Sequence, residues 1–286
     1  MTRLYSRKGA KENLVDLADN AGITGYPLPL YKSGTAPEAA GRFYLWAKDA
    51  GYPGAWAVGT PGLAGRVTDG TAVADYGCLP YKNATTGSNY LAGFTVSGSV
   101  AHQCYLIDVL WVNSGTVVTT TTAQAIGSPT WPARDNNGAT SGEGVQVGIL
   151  VTTATTNAGA ITNTTMIYTN SDGTGSRTAK ISAVGGFPAT GVIGTVVPFE
   201  LADGDRGVRA ITSVTLGTSY AGGAISLIAY RVVGAASVLL ANVGSPYLNF
   251  VPPGTRLYDG SCLFPMGLMS ATTATVISGL ASIVER

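Results

Sequence analysis

Charge is what this sequence has least of. Of its 286 residues, 12% are Asp, Glu, Lys or Arg, about half the roughly 25% of an ordinary soluble domain. Such a surface carries few of the mixed charges that keep a monomer soluble. Histidine occurs once, as His102, so a Ser-His-Asp triad has a single base to draw on. No G-x-S-x-G elbow accompanies it. There are three cysteines, Cys78, Cys104 and Cys262, without C-x-x-C spacing. That pattern supplies neither a disulfide framework nor a zinc site and reads as buried thiols. Metalloprotease, Walker A and dinucleotide motifs are missing too.

Long apolar runs are also lacking. No stretch reaches the roughly 18 residues of a membrane helix. The most apolar segments, Ala224–Leu240 and Thr275–Val284, are interrupted by Ser, Arg or Gly. An outer-membrane barrel needs regular alternation throughout, and the opening part does not have it. Net charge is +1, with one basic cluster at Arg3, Arg7, Lys8 and Lys11. That cluster is a solvated helix face or terminal segment, or a contact to phosphates or an acidic partner. The expectation is no direct nucleic acid, no membrane, no cofactor and no metal. The opening Met-Thr-Arg-Leu-Tyr-Ser-Arg-Lys has no apolar signal core, so synthesis in the cytoplasm is expected.

What is present is Gly, Thr, Ala, Ser and Val, with 39 glycines. A body this poor in charge fits an assembly subunit whose missing surface charge is interface. Residues 1–90 differ from the rest. Leu14, Leu17, Ala18 and Ala21 predict a short helix over Lys11–Ala21, and Phe43, Trp46, Ala47 and Ala50 a second helical turn within Ala39–Ala50. Around them Tyr26-Pro27-Leu28-Pro29-Leu30, Tyr52-Pro53-Gly54, Thr60-Pro61-Gly62 and Leu79-Pro80-Tyr81 favour extended or turn geometry. Aromatics among breakers are the composition of an extended arm anchored by its rings, with Tyr26, Tyr31, Trp46 and Trp56 as anchors. A small irregular subdomain packed on the chain's own body is the alternative.

From residue 91 to 286 the pattern is short strands separated by Gly, Pro or Asp turns. Gln103–Asn113, Val145–Thr152, Val208–Leu216 and Ala224–Val233 are examples. Thr164–Thr169 and Ser176–Ser182 flank Asn-Ser-Asp-Gly as a hairpin. Thr116–Ala123 is β-branched enough to predict a strand. The fold class expected is all-β, an antiparallel jelly-roll-like β-sandwich with an extended N-terminal arm.

Most acids sit in turns such as Asp69-Gly70, Asp172-Gly173 and Asp259-Gly260. Asp108 does not. It lies inside an apolar strand, where an unpaired charge is costly. It pairs with Arg231 or Arg209, points outward, or is a catalytic acid. Asp203-Gly204-Asp205-Arg206-Gly207 has the start of a cation loop but lacks the further acids of an EF-hand.

Tyr105–Asn113, Ser114–Gln124, Pro129–Gly138, Val147–Asn170, Pro198–Gly207 and Leu257–Pro265 together resemble segments of virion structural proteins of tailed bacteriophages. The resemblance runs from about Pro53 onward and rests on overall texture, with no catalytic motif. It implies a non-enzymatic virion component assembled in the host bacterial cytoplasm. Capsid decoration (cement) and minor capsid proteins of such phages are often trimeric jelly rolls with clasping arms. The partners it implies are further copies of the chain, in a homo-oligomer and by default a trimer, and the major capsid protein. The alternative is a tail, collar or fibre-associated receptor-binding protein.

Overall fold

The structure is a computed structural model, and it describes residues 25–37, 39–181, 186–244 and 254–286. The helix expected over Lys11–Ala21 and the basic cluster lie outside the described residues.

The described chain is all-β, as expected. Its strands are β1 (Tyr26–Ser33), β2 (Phe43–Leu45), β3 (Ala50–Tyr52), β4 (Arg66–Val67), β5 (Asn89–Gly98), β6 (His102–Val112), β7 (Gln124–Ala125) and β8 (Gln146–Thr153). They continue with β9 (Thr165–Asn170), β10 (Arg177–Ile181), β11 (Thr195–Glu200), β12 (Val208–Thr215), β13 (Ala224–Val238), β14 (Thr255–Leu257), β15 (Leu263–Met269) and β16 (Val276–Glu285).

Six of these strands close on themselves. Following the antiparallel pairs β2–β15–β6–β13–β8–β11 returns to β2. The result is a barrel without an open edge among its members. Cross-strand neighbours share a face, so Leu45, Met266 and Tyr105 form one inward layer, and Phe264, Ile107 and Val232 another. Leu45, Met266, Phe264 and Ile107 belong to a single buried cluster with Trp56, Leu150 and Tyr230, which fills the barrel, and Tyr105 and Val232 pack against it half-buried.

Two sheets cover the outside of the barrel. From β11 the ladder continues through β10, β9 and β12 to β7. Its apolar face packs on the outward residues of β8 and β13, such as Ile149 and Leu227. Trp111 and Trp131 meet there with ring centroids 5.5 Å apart. On the other side lies a separate sheet in the order β14-β5-β16-β1-β3. Its inner face places Leu28, Leu30, Phe94 and Ala281 against Leu106 and Val233 of the barrel wall.

The expected boundary at residue 90 does not divide the fold. β1 pairs with β16 along its whole length, and β2 is the strand that closes the barrel. Tyr26–Ser33 and Phe43–Leu45 are therefore built into the body. In β1 the alternation of Leu28, Leu30 and Lys32 inward with Pro27, Pro29 and Tyr31 outward fixes the register. Pro27 and Pro29 are tolerated because β3 reaches only Tyr31–Ser33, leaving them a neighbour on one side.

The second expected helix is corrected as well. Between Ala39 and Ala50 only Trp46–Lys48 is helical, as one 3-10 turn. Phe43 and Leu45 alternate into the barrel instead, so β2's tertiary pairing overrides the helical spacing. Thr116–Ala123 is a loop. Gln124 closes it, accepting from the Val117 N–H at 2.8 Å and donating to the Val117 carbonyl at 3.0 Å. The expected hairpin is present as β9 and β10, with Gly173 at φ 89° in its turn. No helix among the described residues is long and apolar enough to cross a membrane.

Candidate interaction surface

The inner face of the five-stranded sheet is spent on the core. The outer face follows from the same register. One row across it is Tyr52–Tyr31–Ser278–Ser97, the next Pro29–Leu280–Thr95, and the next Pro27–Ser282–Gly93. Tyr31, Tyr52, Val276 and Leu280 are 49%, 51%, 37% and 37% exposed. Ser97 and Ser278 bond to each other through their hydroxyls at 2.9 Å. Among the described residues, no outward side chain of β1, β3 or β16 in these rows is charged. The lysine in this part of the sheet, Lys32, points the other way and is fully buried. Its Nζ donates to the carbonyls of Gly54 at 2.9 Å and Asp49 at 3.3 Å. Burial pushes the Lys32 ammonium down to about 8, against the opposing pull of Asp49.

A sheet face kept in water usually carries Lys or Glu to prevent association. This one carries Tyr, Pro, Leu, Val, Ser and Thr, the composition of a protein contact, in which Lys and Glu are depleted. The eight residues of β1 span roughly 27 Å at ~3.4 Å per residue, and four strands ~4.8 Å apart span about 19 Å. The face is then on the order of 500 Å², a large share of the roughly 800 Å² per partner in a standard interface.

The four expected anchors are dispersed. Tyr31 is on this face. Tyr26 lies in the inward register and donates its hydroxyl to the Lys82 carbonyl at 3.0 Å. Trp46 and Trp56 are 0% and 1% exposed within the chain's own core. Trp46 meets Tyr44 edge-on and His102 at a tilt, and Gly267 makes room for it, since a Cβ there would run into the indole ring. Trp56 packs on Phe264 and donates its indole N–H to Asp75 Oδ1 at 3.0 Å. Neither indole is available to a partner surface while the chain is folded, so both are corrected from anchors to core residues. Tyr52, one of the aromatics among the breakers though not one of the expected anchors, shares this face with Tyr31, and its three-residue strand is too short to show alternation in the sequence.

A second feature is a cleft of about 510 Å³ lined by Tyr52, Pro53, Tyr76, Cys78, Pro80 and Tyr81. Tyr76 is 64% exposed at its rim.

The residues weighed for chemistry have structural partners. Asp108 is fully buried and pairs with Arg231, as one of the expected readings had it. The Arg231 Nε lies 3.4 Å and the Arg134 Nε 3.7 Å from its Oδ2. The Cys262 N–H donates to Oδ1 at 2.8 Å and the Ser261 hydroxyl to Oδ2 at 3.1 Å. His102 shares a hydrogen bond with the Val100 carbonyl at 2.8 Å, and burial lowers its pKa. Asp205 receives Tyr168 Oη at 2.5 Å, Asn170 Nδ2 at 2.7 Å and Arg177 Nε at 2.8 Å. Desolvation opposes these bonds, but together they hold the carboxyl down to about 2. Among the described residues no group of three His, Cys, Asp or Glu is placed to hold a metal.

No family model matches the chain, and no curated protein matches it. Among solved structures, the infectious bursal disease virus VP2 subviral particle aligns over 92% of this chain and 81% of that chain, at 10% identity and a TM-score of 0.20. A TM-score that low carries no argument about fold or role.

Proposed function

We propose that this chain is a non-enzymatic structural protein of a bacteriophage particle, a capsid decoration or cement protein that binds copies of itself and the major capsid protein. The observation that carries the proposal is the uncharged outer face of the β3-β1-β16-β5 sheet. It puts Tyr31, Tyr52, Pro29 and Leu280 in one exposed, rigid array. Such an array gains little from water and much from burial, at about 25 cal/mol per Å² of apolar surface. Its lack of charge also removes like-charge repulsion between identical copies. The resemblance of Tyr105–Asn113, Val147–Asn170 and Leu257–Pro265 to phage virion proteins points the same way. A trimer and the jelly-roll-like ancestry of the packed sheets belong to this proposal by analogy with such proteins. Many weak contacts of this kind, linked on one shell, bind by avidity.

The reading as a tail, collar or fibre-associated receptor-binding protein has one observation in its favour, the aromatic cleft between Tyr52, Tyr76 and Tyr81.

The test is a paired substitution on the face, Ser278→Glu with Leu280→Lys. Both side chains are outward, so the fold is expected to persist, checked by its circular dichroism and urea midpoint. Incorporation into purified particles, with copy number read by quantitative mass spectrometry, is expected to fall sharply. Normal incorporation by the folded variant overturns the proposal. A wild-type copy number confined to the tail supports the receptor-binding reading instead.

A further inference from the structure

Two of the three cysteines, far apart in sequence, meet at one end of the barrel. Cys78 directly precedes Leu79, whose N–H donates to the Leu263 carbonyl at 2.9 Å, and Leu263 directly follows Cys262. Gly70 touches both. Its carbonyl accepts the Cys78 thiol at 3.7 Å, and a Cβ built on Gly70 would lie 3.3 Å from Cys262 Cα. Both side chains belong to the cluster that fills the barrel, beside Trp56 and Phe264. The two thiols also feel each other. Burial raises the Cys262 pKa first, and the neighbouring Cys78 thiol and the Asp75 charge raise it further. Both cysteines are unpaired in the structure.

Access differs between them. Cys262 is 0% and Cys78 4% exposed. Cys78 forms part of the wall of the 510 Å³ cleft between Tyr52, Tyr76 and Tyr81. The third cysteine, Cys104, is sealed in the other core, against the five-stranded sheet, and burial raises its pKa as well.

We propose that Cys78 and Cys262 are a cross-linking site, at which an intramolecular disulfide closes when the protein meets a peroxide. The Cys78 sulfur, reached through the cleft, attacks one peroxide oxygen and breaks the O–O bond. The hydroxide released takes the Cys78 thiol proton and leaves as water. The sulfenic acid then faces Cys262. The Cys262 sulfur attacks it, the S–O bond breaks, and the departing hydroxide takes the Cys262 proton as a second water. Two thiols are oxidised and one peroxide is reduced to two waters. The product ties the segment around residue 78 to the start of β15, across the end of the barrel. The inference is independent of the proposed role in a particle.

The experiment uses the full-length native chain with hydrogen peroxide as the probe. After treatment the protein is denatured without reductant, alkylated and weighed intact. The expected result is a loss of two hydrogens with one alkylatable thiol remaining of the three, mapped to Cys104. Cys78→Ser and Cys262→Ser are each expected to abolish the loss, and Cys104→Ser to retain it with no thiol left. If three thiols remain alkylatable, the proposal fails. It fails equally if Cys78 proceeds to sulfinic acid with Cys262 free, or if the cross-link joins two chains. The serine variants are compared with the wild type by native circular dichroism, so that misfolding is seen directly.

Discussion

Replacing Asp108 with Ala removes the one anion from a buried site that holds two cations. Arg134 and Arg231 are each 2% exposed, and Asp108 is 0%. Other acceptors engage their nitrogens. Arg134 reaches the carbonyls of Val109 and Gly260, and Arg231 that of Arg256 while lying 5.1 Å from the Tyr258 ring. Carbonyls and a ring face do not neutralise a charge. The Nε atoms of both arginines have no hydrogen-bond partner apart from their ion-pair approach to this carboxylate. Removing one member of a buried pair costs about 3–5 kcal/mol, which at ~2–3 °C per kcal/mol for a chain of this size is a fall in Tm of roughly 6–15 °C. Asp108→Asn retains an acceptor for the Cys262 N–H and is expected to fall between the two. The assay is urea unfolding followed by tryptophan fluorescence. All four tryptophans are at most 1% exposed and report on each core layer. The double variant Asp108→Leu with Arg231→Met is expected to be less destabilised than the sum of its single changes, by about 1–3 kcal/mol. A loss below about 1 kcal/mol for Asp108→Ala refutes the reasoning, because it means water already screens the arginines.

Three further outcomes are expected. The folded chain holds Lys32 near 8 against roughly 10.4 when unfolded, so the unfolded state binds more protons between those values. Stability therefore rises with pH from about 8 toward 10, and Lys32→Met is expected to flatten that rise in urea midpoints measured at pH 7.5, 8.5 and 9.5 (about one pH unit apart). Asp205 is held near 2 against about 3.9 unfolded. Its contribution is fully present above the unfolded value and is lost as pH falls through the folded one, so Asp205→Asn is expected to weaken the dependence of stability on pH between about 4 and 2, measured by acid titration of circular dichroism. Gly142→Ala places a Cβ 2.0 Å from the Val208 carbonyl oxygen at φ +82°. It is expected to cost about 2 kcal/mol or more in urea unfolding.

Most strands from residue 89 onward were legible because burial sets their period, whereas Thr116–Ala123 is a loop and the short β7 and β14 show no period. His102–Val112 and Val276–Glu285 fall within a residue or two of where apolar patterning put them. The β9–β10 hairpin was legible from Asp172-Gly173, whose glycine supplies the positive φ. The described residues before 89 were not. A strand such as Phe43–Leu45 is too short to show a period of two, and its identity comes from hydrogen bonds to strands more than a hundred residues later. Trp46 and Trp56 illustrate the same limit for the site. Local sequence shows a ring among breakers, but whether it meets its own core or a partner depends on a long-range fold. The neutral sheet face was foreshadowed by the shortage of charge, while its location became visible only once β1 and β16 were paired.

The place of β16 has a consequence for how the molecule is made. It lies between β1 and β5, so residues near 28 and near 94 both wait for residues near 281 before their sheet has a middle. On a ribosome, β1 emerges long before its partner exists, and its apolar side must wait until residues 276–285 have been made. Sheet closure therefore waits for residues 276–285, and a nascent chain that stops before residue 276 leaves the β16-facing edge of β1 unpaired.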